Sequence, residues 1–506
     1  MINLLLNNIL MLLYKKDYYK YLSAGSNIYN VQQGILLNIL NKNKLCKYGI
    51  EHNFANISSR EEYSLSVPLS EYDDYLPYIE EMKNGSKNIL TSDDILLFEL
   101  TSGTSGGKKF IPYTKGLKDE FLKGIKVWIY SLYNKYPKVK KGKSYWSITP
   151  LIDNIEYTKG GIPVGFEEDS SYFGIIEKHI IDKLFAVKNS IKKEKSIDNF
   201  YLKTAVDLLN CKNLTLISVW SPTFLLELIG YIEQNSDRLM QFINKKRRTK
   251  IYNYIKNKEY NNIWPNLEVI SCWLDGISSR YKNNIQNLFP DTYIEAKGVL
   301  STEAFISLPF GDIEGSRISY LSHFYEFLNI DDNKIYYADN LLENNKYEVI
   351  VTTSGGLYRY RTNDIIEVVC KKQNQVVIRF VGRKGIFSDI TGEKLSIDFV
   401  ENIFKDIIHQ SSFFMAAPLN DRYVIYIKDY ALNKIDADRL LRQNFHFDYA
   451  RKLGQLKETE VYILTGNPEK EYNEYYVKKG IRLGDIKLKV LSLEENWYNI
   501  FTGYFL

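Results

Sequence analysis

Apolar residues recur at helical spacing through the first 90 residues, which predicts a mostly helical start with helices at 28–40 and 72–82. A short apolar segment at 94–100 predicts a strand that ends directly in a loop rich in Thr, Ser and Gly. Further strands are expected at 145–148, 214–220, 267–273, 292–295 and 347–352, and long helices at 197–209 and 224–243. Strands that alternate with helices predict an α/β fold with a largely parallel sheet.

Strand-like segments follow one another more closely between residues 304 and 381, which predicts an antiparallel or barrel-like subdomain. After residues 382–385 the pattern changes to a helix at 397–409, a strand at 423–428, a helix at 435–444, a strand at 460–464 and a helix at 469–479. A chain of 506 residues is also too long for one ordinary core. We therefore predict an α/β protein, with a large N-terminal α/β domain that includes a barrel-like subdomain (residues 1–383) and a small C-terminal α+β domain (residues 384–506).

Composition and charge exclude several classes of protein. The formal net charge of +5 is small for this length, so basic runs such as 245–248 indicate solvated helix faces rather than a nucleic-acid surface. The four cysteines lie far apart, which fits neither a zinc site nor a disulfide framework and favours the reducing cytoplasm. The apolar segment 1–13 is interrupted by asparagines and is too short to span a bilayer, so it predicts a packed amphipathic helix rather than a signal peptide. We expect no nucleic-acid and no membrane partner.

The loop after the first predicted strand carries the sharpest chemical pattern. It consists of Thr101, Ser102, Gly103, Thr104, Ser105, Gly106, Gly107, Lys108 and Lys109. Glycines let several backbone N–H groups approach an anion, hydroxyl groups add donors, and a lysine adds positive charge. This combination fits a triphosphate or pyrophosphate, although the spacing of a Walker phosphate loop is absent. A flexible surface loop is the alternative, and the strand before the loop and the helix soon after it disfavour that alternative.

Two further segments place carboxylates where a nucleotide would need them. At the end of residues 351–364, Asp364 could accept hydrogen bonds from two ribose hydroxyls, while Arg359 and Arg361 would either meet a phosphate or hold the turn. A hairpin with a buried Arg–Asp pair is the alternative. In residues 297–303, Thr302 and Glu303 set a hydroxyl beside a carboxylate, which fits Mg²⁺. The first turn of a helix is the alternative for that pair.

Taken together and in order, these segments resemble the auxin-responsive Gretchen Hagen family of acyl acid-amido synthetases, in its bacterial branch. That family belongs to the adenylate-forming superfamily of acyl-CoA synthetases, peptide-synthetase adenylation domains and luciferases. The likeness covers nearly the whole chain and rests on residues 67–69, 72, 77–79, 101–112, 218–224, 264–267, 271–273, 355–364 and 380–383. Several motifs in the right order are far rarer by chance than any one of them.

The resemblance implies roles for residues of the large domain. Residues 101–109 would form the phosphate loop, with Lys109 as a catalytic residue. Asp275 and Gly276 would lie against the adenine and the acyl carboxylate. Thr302 would touch the acyl-phosphate and Glu303 would hold Mg²⁺. Residues of the acyl pocket are expected from 218–224 and from 116–133, with Trp220 and Phe224 as candidates.

It also implies roles for residues near and beyond the domain boundary. Asp364 would bind the ribose, and Arg383 would contact the ribose or a phosphate near a hinge about which the small domain moves. Lys487 would stabilise charge during adenylation, although the local match is poor and Lys489 or Lys479 are alternatives. Asn363 stands where the family usually has Gly, and because Asn tolerates positive φ the turn is expected to survive. In addition, residues 299–300 replace an aromatic–small pair beneath the adenine.

The resemblance therefore implies an enzyme that uses ATP and Mg²⁺ to activate a small carboxylic acid as acyl-AMP with release of pyrophosphate. The acyl group would then pass to an amine, an amino acid in this family. Two alternatives stay open: a ligase with the same first step that uses coenzyme A or a carrier thiol, and a member that binds nucleotide or acyl ligand without turnover. The presence of Lys109, Glu303, Asp364 and Arg383 together disfavours the second.

Overall fold

The computed structural model describes residues 2–102, 108–147, 156–165, 175–194, 196–275, 278–279, 281–310, 314–372, 374–383, 387–388, 390, 393, 395–452 and 455–506. The chain forms two compact units. The first comprises Met1–Trp220, Leu225–Trp273 and Asn283–Val381, and the second comprises Ser221–Phe224, Leu274–Lys282 and Gly382–Leu506. In the described part of the chain, no helix is both long enough and apolar enough to cross a membrane.

Helices dominate the first 90 residues, as predicted. They are α1 (Ile2–Ala24), α2 (Ile28–Asn43), α3 (Lys47–Glu51), α4 (Arg60–Ser66) and α5 (Tyr72–Lys83). The predicted N-terminal helix is correct in kind but runs eleven residues further, to Ala24, because Tyr14 and Tyr21 continue its buried side. This helix packs on the body of the first unit, as predicted, although its exposed side also carries apolar residues such as Leu5 and Leu12.

A parallel sheet forms the α/β part of the first unit. Its four strands, in the order β3–β6–β7–β8, are β3 (Lys143–Trp146), β6 (Leu214–Ser218), β7 (Val269–Cys272) and β8 (Tyr293–Ala296). Strands β6 and β7 are buried along their whole length, as expected for central strands of a parallel sheet, and their few polar residues, Thr215, Ser218 and Ser271, are buried with the apolar ones. This sheet confirms the predicted parallel α/β architecture.

Helices flank and connect these strands. They are α6 (Lys115–Lys135), α7 (Ile175–Leu184), α8 (Ile197–Asn210), α9 (Pro222–Gln234), α10 (Ser236–Met240), α11 (Arg248–Lys256), α12 (Tyr260–Ile263) and α13 (Tyr281–Leu288). The hydroxyl of Thr114 caps α6 by accepting the N–H of Leu117 at 3.1 Å. The single helix predicted at 224–243 is wrong, because the chain leaves helical geometry at Asn235 and forms two helices.

Two further sheets, one mixed and one antiparallel, complete the first unit. A four-stranded sheet in the order β2–β1–β5–β4 contains β1 (Ile95–Ser102), β2 (Lys108–Thr114), β4 (Glu156–Tyr157) and β5 (Pro163–Val164). A seven-stranded sheet in the order β12–β11–β13–β14–β15–β10–β9 contains β9 (Ser307–Pro309), β10 (Ser316–Ile318), β11 (Phe324–Asn329), β12 (Ile335–Tyr337), β13 (Lys346–Thr352), β14 (Tyr360–Lys372) and β15 (Gln375–Arg383). Among the described residues the strand order is that of an open antiparallel sheet without closure into a barrel, which agrees with the predicted antiparallel or barrel-like subdomain.

The second unit is a small α+β body. A mixed sheet in the order β18–β19–β20–β21 is built from β18 (Phe413–Leu419), β19 (Arg422–Lys428), β20 (Glu460–Leu464) and β21 (Gly503–Phe505), and a two-stranded ribbon from β16 (Phe387–Ser388) and β17 (Leu395–Ser396). The helices are α14 (Ile397–Ile403), α15 (Lys405–Gln410), α16 (Lys434–Leu441), α17 (Phe445–Lys452) and α18 (Pro468–Lys478). The α+β prediction is confirmed, but the helix predicted at 397–409 is two helices that divide at Phe404.

Candidate active site

The predicted site residues of the parallel sheet follow the carboxyl ends of its strands. Trp146, Ser218 and Ala296 are the last residues of β3, β6 and β8. Residues 297–303, which include the predicted Thr302 and Glu303, leave the sheet directly after β8. Open α/β sheets bind their ligands at the carboxyl ends of the strands, so this edge is the natural place for a substrate.

Thr302 and Glu303 lie in a tight irregular turn. A β-bridge between Leu300 and Phe305 closes the turn, and backbone hydrogen bonds across it hold the two sides together. The turn contains no helical residue, so the alternative of a helix start is wrong for this pair. A turn closed in this way presents both predicted side chains from one short, fixed piece of backbone.

The carboxylate of Glu303 is buried in an environment that suits a cation. Only 3% of the residue is exposed, and within the described ranges no hydrogen bond or ion pair reaches its carboxylate. A buried carboxylate is costly unless a partner compensates its charge. Mg²⁺ fits, because it commonly takes one or two protein carboxylates and completes its ligands with substrate phosphates. No group of three or more His, Cys, Asp or Glu among the described residues forms a metal site built by the protein alone.

A buried pair of hydrogen-bonded residues, His323 and Glu120, holds the turn at 300–305 in place. The Nε2 atom of His323 accepts the N–H of Phe305 at 3.0 Å, so the proton of the neutral ring lies on Nδ1, which bonds Glu120 Oε2 at 2.9 Å. Glu120 also accepts from the backbone N–H and the hydroxyl of Ser354. The pair therefore connects the turn that carries Glu303 to residues 353–356. Sequence reasoning missed it because the two residues are 203 positions apart and carry no motif.

Gly298 is needed where the chain leaves β8, because a Cβ at this position would lie 2.2 Å from the carbonyl oxygen of Ser307. We expect Gly298→Ala to lower the free energy of unfolding by about 1–3 kcal/mol, since two backbone segments must move apart. Gly34→Ala in α2 is the control: nothing lies within 4 Å of its Cβ, and we expect it to be neutral or slightly stabilising. Urea denaturation of both variants checks the prediction, and equal stability of the two would contradict it.

Asp364 lies in a bulge of the long hairpin of the seven-stranded sheet. Residues 362–364 of β14 oppose the single residue Val349 of β13. The hydroxyl of Thr362 donates to the Val349 carbonyl at 2.8 Å and accepts the N–H of Asp364 at 3.1 Å. Asn363 has φ of 62°, which confirms that Asn adopts the left-handed conformation where the family usually has Gly. The bulge thus fixes the backbone that carries the Asp364 carboxylate.

Arg359 and Arg361 are both bound to buried glutamates, so they stabilise the turn and do not form a phosphate site. Arg359 donates through Nε to both carboxylate oxygens of the buried Glu326, at 2.9 and 3.1 Å, and its Nη1 donates to two backbone carbonyls. Arg361 makes a two-pronged contact to the buried Glu348 at 2.7 and 2.8 Å. The sequence allowed two roles for these arginines, binding a phosphate or stabilising the turn. Their bonds to buried glutamates show that they stabilise the turn.

The predicted phosphate loop lies between strands β1 and β2, and its residues 103–107 are outside the described residues. The backbones of Thr101 and Ser102 at the end of β1 pair with Lys109 and Lys108 at the start of β2. Gly103, Thr104, Ser105 and Gly106 lie outside the described residues. The ammonium of Lys109 stands 5.2 Å from the centre of the Tyr72 ring. The predicted strand before the loop is confirmed, and a second strand separates the loop from helix α6.

The remaining predicted site residues belong to the second unit or lie outside the described residues. Asp275 and Arg383 are half-buried in the second unit, whereas Gly276 lies outside the described residues. Lys487 follows a short 3₁₀ turn, and its carbonyl accepts the hydroxyl of Tyr472 at 3.2 Å. The structure thus gathers Thr101, Ser102, Lys109, Thr302, Glu303 and Asp364 in one unit and Asp275, Arg383 and Lys487 in the other.

The three late lysines of the second unit have different surroundings. Lys479 is bound to the carboxylate of Glu494 at 2.7 Å. Burial lowers the pKa of Lys489, and the positive charges of Arg383 and Lys479 lower it further against the opposing effect of Glu494. A lysine whose positive form is disfavoured in this way gains from an incoming anion.

The sequence matches two domains of one family of proteins. Residues 19–253 match the GH3 family N-terminal domain and residues 318–383 match the GH3 family central domain. Two related proteins are the indole-3-acetic acid-amido synthetase GH3.2 of Arabidopsis thaliana and the putative indole-3-acetic acid-amido synthetase GH3.10 of Oryza sativa subsp. japonica. The first is 22% identical over 462 residues, which cover 78% of this chain and 83% of that protein. The second is 23% identical over 400 residues, which cover 73% and 81%.

Solved structures of the same family share the fold. The AtGH3.15 acyl acid amido synthetase in complex with 2,4-DB superposes with a TM-score of 0.80 over 96% of this chain and 95% of that chain, at 18% identity. This likeness, which covers almost the whole chain, shows that the chain has the fold of the GH3 acyl acid amido synthetases. The chain belongs to the GH3 family, in agreement with the resemblance seen in its motifs.

Proposed function

We propose that this chain is an AMP-forming acyl acid-amido synthetase, which activates a small carboxylic acid with ATP and joins the acyl group to an amino acid. The observation that carries the first half is the buried Glu303 carboxylate in the turn after β8. Family membership carries the second half, since the related plant proteins are named amido synthetases.

In the first step, a carboxylate oxygen of the acid attacks the α-phosphate of ATP, which gives acyl-AMP and pyrophosphate. The segment 103–107 between β1 and β2 would offer backbone N–H groups to the phosphates, with Lys109 at the start of β2. Asp364 would accept hydrogen bonds from the ribose hydroxyls, and its place in a rigid bulge would orient the nucleotide. In the second step, the amine attacks the acyl carbon and AMP leaves, so no covalent link to the enzyme is needed.

Glu303 would hold Mg²⁺, and Thr302 beside it would contact the acyl-phosphate. When bound, the cation would neutralise negative charge on the phosphates during the transfer. What the protein itself supplies is position: the bridge from Leu300 to Phe305 and the bond from Phe305 to His323 keep the Glu303 carboxylate in one place.

We also propose that residues 384–506 form a small mobile domain, with residues 1–383 as the adenylation domain. Arg383, beside the boundary, would contact the ribose or a phosphate, and Asp275 with Gly276 would lie against the adenine and the acyl carboxylate. Lys487 matches the family's late lysine and would stabilise charge during adenylation. Lys489 is the alternative, because its disfavoured positive charge near Arg383 would gain from a bound phosphate.

Two finer assignments also belong to this proposal. A cytoplasmic location is supported by four cysteines that all remain free. A place in the bacterial branch of the family is implied by the resemblance of the motifs alone.

Removal of the Asp364 charge should weaken nucleotide binding more than it slows the chemistry. We expect Asp364→Asn to raise the KM for ATP by about 10-fold, which corresponds to about 1.4 kcal/mol of lost binding. Asp331→Asn, in the exposed turn between β11 and β12, is the control and should leave the KM unchanged. Initial rates at varied ATP check this, and an unchanged KM in Asp364→Asn would remove this residue from the ribose site.

ATP–pyrophosphate exchange with a panel of small carboxylic acids tests the first half-reaction. Exchange that requires one of the acids supports adenylation, whereas no exchange with any acid would favour a non-catalytic binding protein. Product masses obtained with amino acids or coenzyme A then decide the acceptor. An amide product supports the synthetase, and a thioester would make the chain an acyl-CoA ligase instead.

A further inference from the structure

Phe305, two residues after Glu303, has both of its backbone polar groups bound by side chains from another segment. Its N–H donates to Nε2 of His323 at 3.0 Å, and its carbonyl accepts the hydroxyl of Tyr325 at 2.7 Å. Both side chains are fully buried. Buried backbone groups need partners, and here the partners come from the start of β11 and not from the turn itself. The turn that carries Glu303 is therefore attached to β11 at this residue.

These two bonds join parts of the seven-stranded sheet that its backbone ladder does not pair. The turn leads into β9 at one edge, and β10, β15, β14 and β13 lie between β9 and β11 in the strand order. Strand β11 pairs with β13, and β13 pairs with β14, which contains the bulge of Asp364. The side chains of His323 and Tyr325 therefore set the position of the Glu303 turn relative to the strands that lead to Asp364.

The position held by His323 requires an acceptor on one side and a donor on the other. The ring accepts from Phe305 at Nε2 and donates from Nδ1 to the Glu120 carboxylate at 2.9 Å, which a neutral imidazole can do in one tautomer only. Glu120 is 4% exposed and also accepts the N–H and the hydroxyl of Ser354. With three donors on one carboxylate, the ring keeps both its tautomer and its orientation.

Helix α6, which carries Glu120, also holds the ring of Phe305. A Cβ at Gly124 would lie 2.4 Å from that ring, so the helix and the ring are in close contact. The ring of Phe121 stands edge-on to Phe305 at 6.2 Å and to His323 at 5.6 Å between ring centres. The backbone and the side chain of Phe305 are thus both fixed by the same group of buried residues.

We propose that His323 and Glu120 are positioning residues for the adenylation step: acting through Phe305, they hold the Glu303 carboxylate where it binds the cation on the nucleotide phosphates. Neither residue touches the reacting atoms. Groups that orient a metal ligand commonly contribute about 10- to 100-fold to metal affinity, so the effect is measurable. This inference rests on the proposed function and adds two residues to its cation site that no local motif indicates.

Calorimetric binding of α,β-methylene-ATP, with Mg²⁺ and in EDTA, separates the contribution of the cation from that of the nucleotide. The ratio of the two affinities should fall about 10-fold in His323→Leu, which leaves the Phe305 N–H without an acceptor. Glu120→Gln should also lower it, because one amide oxygen cannot accept from three donors. His323→Gln should keep the ratio within about threefold of the wild type, since its amide offers both an acceptor and a donor.

Trp264→Phe is the matched control for the loss of a buried hydrogen bond. It removes the bond from the indole N–H to the Leu208 carbonyl, elsewhere in the first unit. This control should lower the thermal midpoint and leave the affinity ratio unchanged. Thermal midpoints of all variants are measured alongside, and Glu120→Gln carries the test if His323→Leu does not fold.

The outcomes separate this inference from the proposed function. An unchanged ratio in folded His323→Leu or Glu120→Gln, with a lowered thermal midpoint as in the control, makes the role structural only and overturns the inference. A ratio that falls in Glu303→Ala would then leave the proposed cation site intact. A wild type whose nucleotide affinity does not respond to Mg²⁺ also overturns the inference. The predicted ratios without pyrophosphate exchange for any acid would support it and count against the proposed activity alone.

Discussion

Replacing Glu303 with Ala should lower the rate of acid-dependent pyrophosphate exchange at least about 100-fold, because the protein would lose the carboxylate that fixes the cation on the phosphates. Glu303→Gln should be nearly as slow, since it keeps the shape and removes the charge. Both variants should still respond to added Mg²⁺, but only at concentrations well above those that saturate the wild type. Exchange rates at varied Mg²⁺ measure both effects.

Glu314→Gln provides the control for this experiment. Glu314 is an exposed carboxylate eleven positions further along the chain, so the same substitution should leave the exchange rate and its Mg²⁺ dependence unchanged. Circular dichroism shows whether Glu303→Ala keeps the fold. A folded Glu303→Ala protein that exchanges pyrophosphate within threefold of the wild type would exclude Glu303 as the metal ligand.

Loss of the Arg359 side chain should give the largest loss of stability. Arg359→Met should lower the free energy of unfolding by about 3–5 kcal/mol, because it leaves the buried Glu326 carboxylate with its charge uncompensated. It also removes the donor to the carbonyls of Ser64 and Val67. Chemical denaturation followed by tyrosine and tryptophan fluorescence measures the loss.

Two further variants show whether the buried charge is the cause. The double variant Arg359→Met with Glu326→Leu should recover much of the lost stability, since a buried pair can be replaced by apolar residues at small cost. Arg379→Met removes an exposed arginine bound to Glu367 and should cost no more than about 1 kcal/mol. If the double variant is as unstable as Arg359→Met alone, the loss comes from packing or from the two carbonyls instead.

The parallel sheet was predictable from the sequence because its strands are buried on both faces. Strands β6 and β7 are short, mostly apolar segments, and the helical stretches between them carry amphipathic patterns, so length and alternation with helices identify them as strands. The break at Asn235 was not predictable, since apolar residues continue at helical spacing on both sides of it. The strand at 413–419 was missed because Ala416, Ala417 and Pro418 within it are residues that are depleted in strands.

The candidate site was predictable only where local sequence decides local geometry. Asn363 illustrates the favourable case, because a residue that tolerates positive φ stands where the bulge needs one. Arg359 illustrates the unfavourable case. Whether it binds a phosphate or stabilises the turn depends on whether a glutamate reaches it, and that glutamate, Glu326, is 33 positions away in the sequence. The ammonium of Lys297 lies over three tryptophan rings. The sequence showed this residue only as the first of a motif, because those tryptophans come from three other parts of the chain.

Transfer of oxygen from the acid to AMP tests the central claim most directly. An acid that supports exchange is labelled with ¹⁸O in both oxygens of its reacting carboxylate and incubated with ATP and an amino acid. If the carboxylate attacks the α-phosphate and the amine then displaces AMP, the AMP carries one ¹⁸O and the amide product carries one. Unlabelled AMP, or ADP with phosphate in place of AMP and pyrophosphate, would contradict the account.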